Sequence, residues 1–170
     1  MELLEATIVV DDVDAFVETL AEIGEEYDCT IQAFDARYIA GREHVERART
    51  LADRAIERGE NVARDRSVEI LLYAAGRRQI NDALEMGLEA GDNEAVVLID
   101  GQRESADEAG TVTALRERLE LTAGQTLATE HADETLLREF FDIGAAELAA
   151  TDASLAELVR ERVALLDVEK

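Results

Sequence analysis

Proline is absent from this chain of 170 residues, so the ends of its helices and strands must be read from glycine, aspartate and serine alone. Cysteine occurs once, at Cys29, which excludes an internal disulfide and any cysteine-cluster metal site. The fold therefore needs no oxidation. Lysine also occurs once, at Lys170, and the other sixteen bases are arginines. No apolar run approaches the roughly 18 residues that span a bilayer. The opening MELLEATIVV carries acids where an export signal would carry Lys or Arg. Together these absences predict a cytoplasmic protein with no membrane contact.

Charge of one sign is abundant. Forty acids against seventeen bases give a net charge of −23. Such a carboxylate-covered, lysine-poor surface is what adaptation to a very salty cytoplasm produces, because a Debye length of about 3 Å near 1 M salt screens the self-repulsion. An acidic surface that mimics nucleic acid or binds cations is the other reading. The charge is uneven along the chain. Between Arg37 and Gln79, ten arginines face seven acids, a local balance of +3, so the remainder carries −26. That segment is a candidate for contact with an anion.

A hydrophobic content of 47% with 34% charged residues is that of a globular chain, and its length suits one domain. Ala6–Val10 reads as a strand. Asp11 or Asp12 caps a helix over Val13–Tyr27, with Phe16, Val17, Leu20 and Ile23 at helical spacing. Thr30–Phe34 reads as a second strand. Arg42–Arg58 is a helix with Val45, Ala48, Ala52 and Ala55 inward, stopped by Gly59. Glu94–Ile99 is a buried strand, Thr113–Leu121 and Glu134–Phe141 read as helices, and Ser154–Leu165 is an amphipathic terminal helix. The pattern predicts a single α/β domain over residues 1–170, with a small mixed sheet of three to five strands and a helix-rich C-terminal half.

Catalytic signatures are missing. There is no Gly-rich phosphate loop, nucleophile elbow or kinase motif set. Cys29 has no histidine nearby and reads as a small core residue. His44 and His131 are far apart, with no metal-ligand spacing. His44 shares a helix face with Ala48, Leu51 and Ala55, as a packed histidine would. No catalytic residue, metal or cofactor is expected. An enzyme working through His44 and Glu69 is the weakest of the rival readings.

The most informative stretch is Ser67–Leu84, SVEILLYAAGRRQINDAL. Ser67 is a plausible N-cap, Glu69 favours the first-turn dipole, and Gly76 fits the C-terminal left-handed position. Between them Val68, Ile70, Leu71, Leu72, Ala74 and Ala75 surround the helix with apolar groups, and a strand over Val68–Ala75 is the alternative reading. Glu69 and Tyr73 form an i,i+4 pair pointing toward Gly76-Arg77. A second helix then starts near Arg78 with Ile80, Ala83, Leu84 and Gly87 inward. Arg77, Arg78, Gln79 and Asn81 gather at this junction. In a structural reading, Arg78 pairs with Asp82, Arg77 with Glu69, and Tyr73 caps a core. In a functional one, planar donors beside an aromatic ring suit phosphate oxygens and base edges. Arg47, Arg54 and Arg58 share a face of the preceding helix, either as a salt-bridged solvated surface supported by Glu43 and Arg47 or as part of the same basic site.

At these residues the chain resembles the PRPK-binding-protein family, the small peripheral subunit of the KEOPS complex, in an archaeal form. The resemblance rests on FDARYIAGREHVERA (Phe34–Ala48), the loop from Asn61, SVEILLYAAGRRQINDALEMGL (Ser67–Leu88) and the terminal LVRERVALLDVE (Leu158–Glu169), with the strand NEAVVLID between. The third block is the most specific. Ser105–Ala132 carries none of the blocks on which the resemblance rests.

The resemblance implies an α/β domain without catalytic activity. It implies binding to the kinase-like ATPase subunit, docking of the CCA tail at the tRNA 3′ end, and indirect association with the other KEOPS subunits during threonylcarbamoylation of adenosine. By the resemblance Asn61, Tyr73, Arg78 and Gln79 occupy matching positions of an RNA pocket, and charge and proximity add Arg64 and Arg77. On the terminal helix Leu155, Leu158, Val159, Arg162 and Leu166 recur at helical spacing. Core packing explains such a stripe, and the family implies that part of it docks the kinase-like subunit. A purely protein-binding regulatory module with no RNA contact is the alternative function.

Overall fold

A computed structural model describes residues 1–127 and 133–169; His131 and Lys170 lie outside the described residues. In chain order the elements are β1 (Glu2–Val10), α1 (Val13–Tyr27), β2 (Thr30–Asp35), α2 (Arg42–Arg58), α3 (Arg66–Ala75) and α4 (Ile80–Ala83). There follow β3 (Gly91–Asp100), α5 (Glu108–Arg118), β4 (Glu120–Ala123), α6 (Glu134–Phe140), α7 (Ala145–Ala150) and α8 (Leu155–Glu169). The chain divides into two compact units, Met1–Ala36 with Gly87–Thr126, and Arg37–Met86 with Leu127–Lys170.

The first unit is built on the sheet. Strand order is β2-β3-β1-β4, and all three pairings are antiparallel, not mixed as expected. The twofold alternation of side chains puts Leu4, Ala6, Ile8 and Val10 of β1 on one buried face. Ala95, Val97 and Ile99 of β3 join them, and Phe16, Leu20 and Ile23 of α1 and Leu115 of α5 complete that core. Val17 points out at 56% exposure, contrary to its expected place in the stripe. Asp12 caps α1, its Oδ1 accepting the Ala15 amide at 2.8 Å. The expected helix over Thr113–Leu121 begins earlier and ends at Arg118. Asp107 caps it, accepting the Gly110 amide at 2.8 Å, and the following residues pair with β1 as β4.

The second unit is helical. α2 has the expected bounds, with Gly59 in the left-handed conformation at φ 69°. His44, Val45, Ala48, Leu51, Ala52 and Ala55 form its buried face. α3 and α8 both pack on α2, and α8 also meets α3 and α6. α3 starts at Arg66, so Asp65 takes the cap position expected for Ser67, and the Arg66 guanidinium is held doubly by Asp53 at 2.7 and 2.9 Å. Every residue from Glu69 to Ala75 is buried, and Gly76 ends the helix at φ 61°. α4 is a single turn continued by a 3-10 turn, Leu84–Met86. Only Ala83 and Met86 face inward there, whereas Ile80 and Leu84 are exposed at 43% and 54%. α7, AAELAA, has no cap side chain to announce it in the sequence.

Candidate functional site

Beyond Gly76 the chain leaves the helical core and separates two neighbouring arginines. Arg77 turns inward: its guanidinium donates to the Phe140 carbonyl and lies 4.5 Å from the centroid of the Phe140 ring. It does not pair with Glu69. Arg78 and Gln79 are exposed, and among the described residues Arg78 has no ion-pair partner, Asp82 included.

Tyr73 does not reach solvent. Its ring is 0% exposed and its hydroxyl donates to Asp167 Oδ1 on α8 at 3.0 Å. Burial, and then the carboxylate beside it, push the phenol pKa well above its ordinary value. The expectation of an exposed stacking ring is corrected: the line of α3 that carries Tyr73 is closed by a carboxylate 94 residues further on.

Asn61 and Arg64 sit on the loop that precedes α3. The Asn61 amide donates to the Ala63 carbonyl at 2.8 Å, a short side-chain turn, and Arg64 extends into solvent. Glu69 shapes this loop. Its carboxylate is fully buried and accepts the Val62 and Ala63 amides at 3.0 and 2.7 Å. Such charge-assisted bonds stabilise an irregular loop more than neutral ones do. A lone acid inside an apolar helix was the sequence signal for it. The ten residues of α3 rise about 15 Å, so Asn61 and Arg64 stand at one end and Arg77, Arg78 and Gln79 at the other. The six expected residues are not one compact pocket.

The basic segment divides by use. Arg42 pairs with Glu46 at 2.8 Å, Arg66 with Asp53, and Arg77 with Phe140. Arg47, Arg54, Arg58, Arg64 and Arg78 are exposed and have no ion-pair partner among the described residues. Glu43, the expected partner of Arg47, instead meets Arg160 of α8 at 2.9 Å.

His44 has no catalytic setting. It is fully buried, its Nδ1 accepts the Ala40 amide at 3.0 Å, and its Nε2 donates to the Ala74 carbonyl at 2.8 Å. Burial lowers its pKa to about 4, so the ring is neutral at pH 7. It fastens the start of α2 to the end of α3.

The stripe of α8 is mostly interior. Leu158, Val159 and Leu166 are buried, which removes them from any open partner surface. Arg162 is committed to Glu147 at 2.7 and 2.8 Å and to the Phe141 and Asp142 carbonyls, both at 3.1 Å. Leu155 lines a cavity of about 390 Å³ shared with Ile39, Leu127, Leu137 and Ala156. The apolar groups that α8 does expose are Leu165 at 40% and Val168 at 80%. No helix of the described residues is long and apolar enough to cross a membrane.

Residues 10–167 match the family described as kinase binding protein CGI-121. No match was found among individually curated proteins.

Proposed function

The chain belongs to the kinase binding protein CGI-121 family, and from that premise we propose that it is a non-catalytic subunit of the KEOPS tRNA-modification machinery. In this reading it binds the kinase-like ATPase subunit and docks the 3′ CCA tail of tRNA. Leu155, Leu165 and Val168 supply the apolar part of the protein contact. The net charge of −23 supports a halophilic archaeal cytoplasm as its setting.

The observation that carries the RNA reading is the exposure of Arg78 and Gln79, with no ion pair to Arg78 among the described residues, just beyond the end of a buried apolar helix. Guanidinium and amide groups in fixed positions suit the phosphates and base edges of a single-stranded RNA end. Arg64, Asn61 and the loop held by Glu69 supply a second contact about one helix length away. With Tyr73 inside, stacking falls to the guanidinium planes of Arg78 and Arg64.

Titration with tRNA and with tRNA lacking its CCA end tests this. The tail-docking reading requires weaker binding of the truncated RNA; equal affinity sinks it. A purely protein-binding module is the second reading, and the burial of Tyr73 favours it. Binding to the kinase-like subunit without measurable affinity for either RNA would establish that alternative.

A further inference from the structure

We propose that Arg47, Arg54 and Arg58 of α2 form a phosphate-tracking line that seats an RNA duplex backbone, separately from the residues that take the tail. This rests on the RNA-docking reading above.

Spacings of seven and four residues place the three side chains within about 20° of one line along the helix. All three are exposed and none has an ion-pair partner among the described residues. In a chain with forty acids that is unusual, and the local reason is visible. Three of the four acids of α2 are drawn elsewhere: Glu43 to Arg160, Glu46 to Arg42, and Asp53 to Arg66. Glu57, the remaining acid of α2, lies roughly 80° around the helix from the line. Arg54 and Arg58 are also like charges at i,i+4, an arrangement that repels in the free helix. A solvated helix face gains nothing from it.

Length identifies the ligand class. From Arg47 to Arg58 the helix rises about 16 Å, with steps of about 10 and 6 Å. No single phosphate or nucleotide spans that distance, whereas a polyanionic backbone does. Planar, permanently charged guanidinia suit phosphate oxygens. Phosphate contacts of this kind fix register and orientation without reading sequence. The line would therefore set how a paired stem lies on the protein while the tail is held elsewhere.

The test uses the full chain with Arg47, Arg54 and Arg58 all changed to Gln, and a matching triple Lys variant. Full-length tRNA and a short single-stranded oligonucleotide ending in CCA are titrated across a salt series. For the Gln variant the expected result is tRNA affinity about tenfold or more lower near 0.1 M salt, and a log–log salt slope shallower by about 2 to 3. Oligonucleotide binding and Tm stay unchanged, and the Lys variant keeps the wild-type slope. Unchanged tRNA affinity and slope in the Gln variant would overturn the line while leaving tail docking intact. Loss of binding to the kinase-like subunit with tRNA binding intact would overturn it in favour of an acidic protein surface. Failure of the wild-type chain to bind either RNA would remove both readings together.

Discussion

The Tyr73 hydroxyl donates to the Asp167 carboxylate at 3.0 Å and ties the last turn of α3 to the end of α8. The bond is charge-assisted and its tyrosine is fully buried, so Tyr73 acts as a tie between helices. Tyr73→Phe is expected to cost about 1.5 to 3 kcal/mol in chemical denaturation, the range for a hydrogen bond to a charged group. Affinity for tRNA should not change. The raised phenol pKa adds a pH signature. A raised folded pKa contributes stability that is complete below the unfolded value near 10 and is lost as pH rises above it. The Phe variant should therefore lose less stability than the wild type above pH 10. A Tyr73→Phe protein as stable as the wild type, or one with weakened RNA binding, would contradict this role.

The acid limb belongs to His44. Its folded pKa, lowered to about 4 by burial, lies below the ordinary 6.5. The neutral ring is also required by the Ala40 amide, which points its hydrogen at Nδ1. A depressed pKa of this kind contributes stability above 6.5 that is lost as pH falls toward 4. Between pH 7 and 5 the loss should be about 2 kcal/mol. His44→Gln, which cannot take the proton, should be less stable at pH 7 but flatter across that interval. Parallel stability curves for the two proteins would show that His44 does not set the slope.

Local signals explain which parts of this fold were legible in the sequence. α1 and α2 fall within their expected bounds because Asp12 caps one and Gly59 stops the other, both short-range devices. The end of α3 at Gly76 was legible for the same reason, and the structure decides for the helix against the strand alternative over Val68–Ala75. Strand direction was not, since pairing of β1 with β3 joins residues about ninety positions apart. β4 was misread because four largely exposed residues show no alternation. At the site, the exposure of Arg78 and Gln79 followed from position after Gly76. The burial of Tyr73 and the diversion of Glu43 both depend on α8, through Asp167 and Arg160, and no spacing within α2 or α3 reveals those partners.

Glu69 offers a way to loosen one end of the basic surface alone. Its buried carboxylate accepts two loop amides, so Glu69→Gln removes the charge and weakens at least one of the bonds. The expected cost is about 1.5 to 3 kcal/mol. Amide exchange at Val62 and Ala63 should accelerate more than exchange in α2. Exchange that rises equally everywhere would mean that the carboxylate supports the whole helical unit and has no special hold on the loop.

Arg77 and Arg78 give the sharpest contrast, being adjacent in sequence and opposite in use. Arg77 spends its guanidinium on the Phe140 carbonyl and ring. Arg77→Ala should therefore destabilise by about 1 to 2 kcal/mol, the sum of a modest hydrogen bond and a cation–π contact. Arg78 is exposed and unpaired among the described residues, so Arg78→Ala should move stability by no more than about 0.5 kcal/mol. RNA affinity should order them the other way. Arg78→Ala should weaken tRNA binding several-fold, and Arg78→Lys should recover only part of it, because an ammonium cannot reproduce a planar bidentate contact. Denaturation midpoints and titrations on the three variants decide the matter. If Arg78→Ala unfolds the protein, the side chain is structural. If it folds and binds tRNA as the wild type does, Arg78 lies outside the RNA contact.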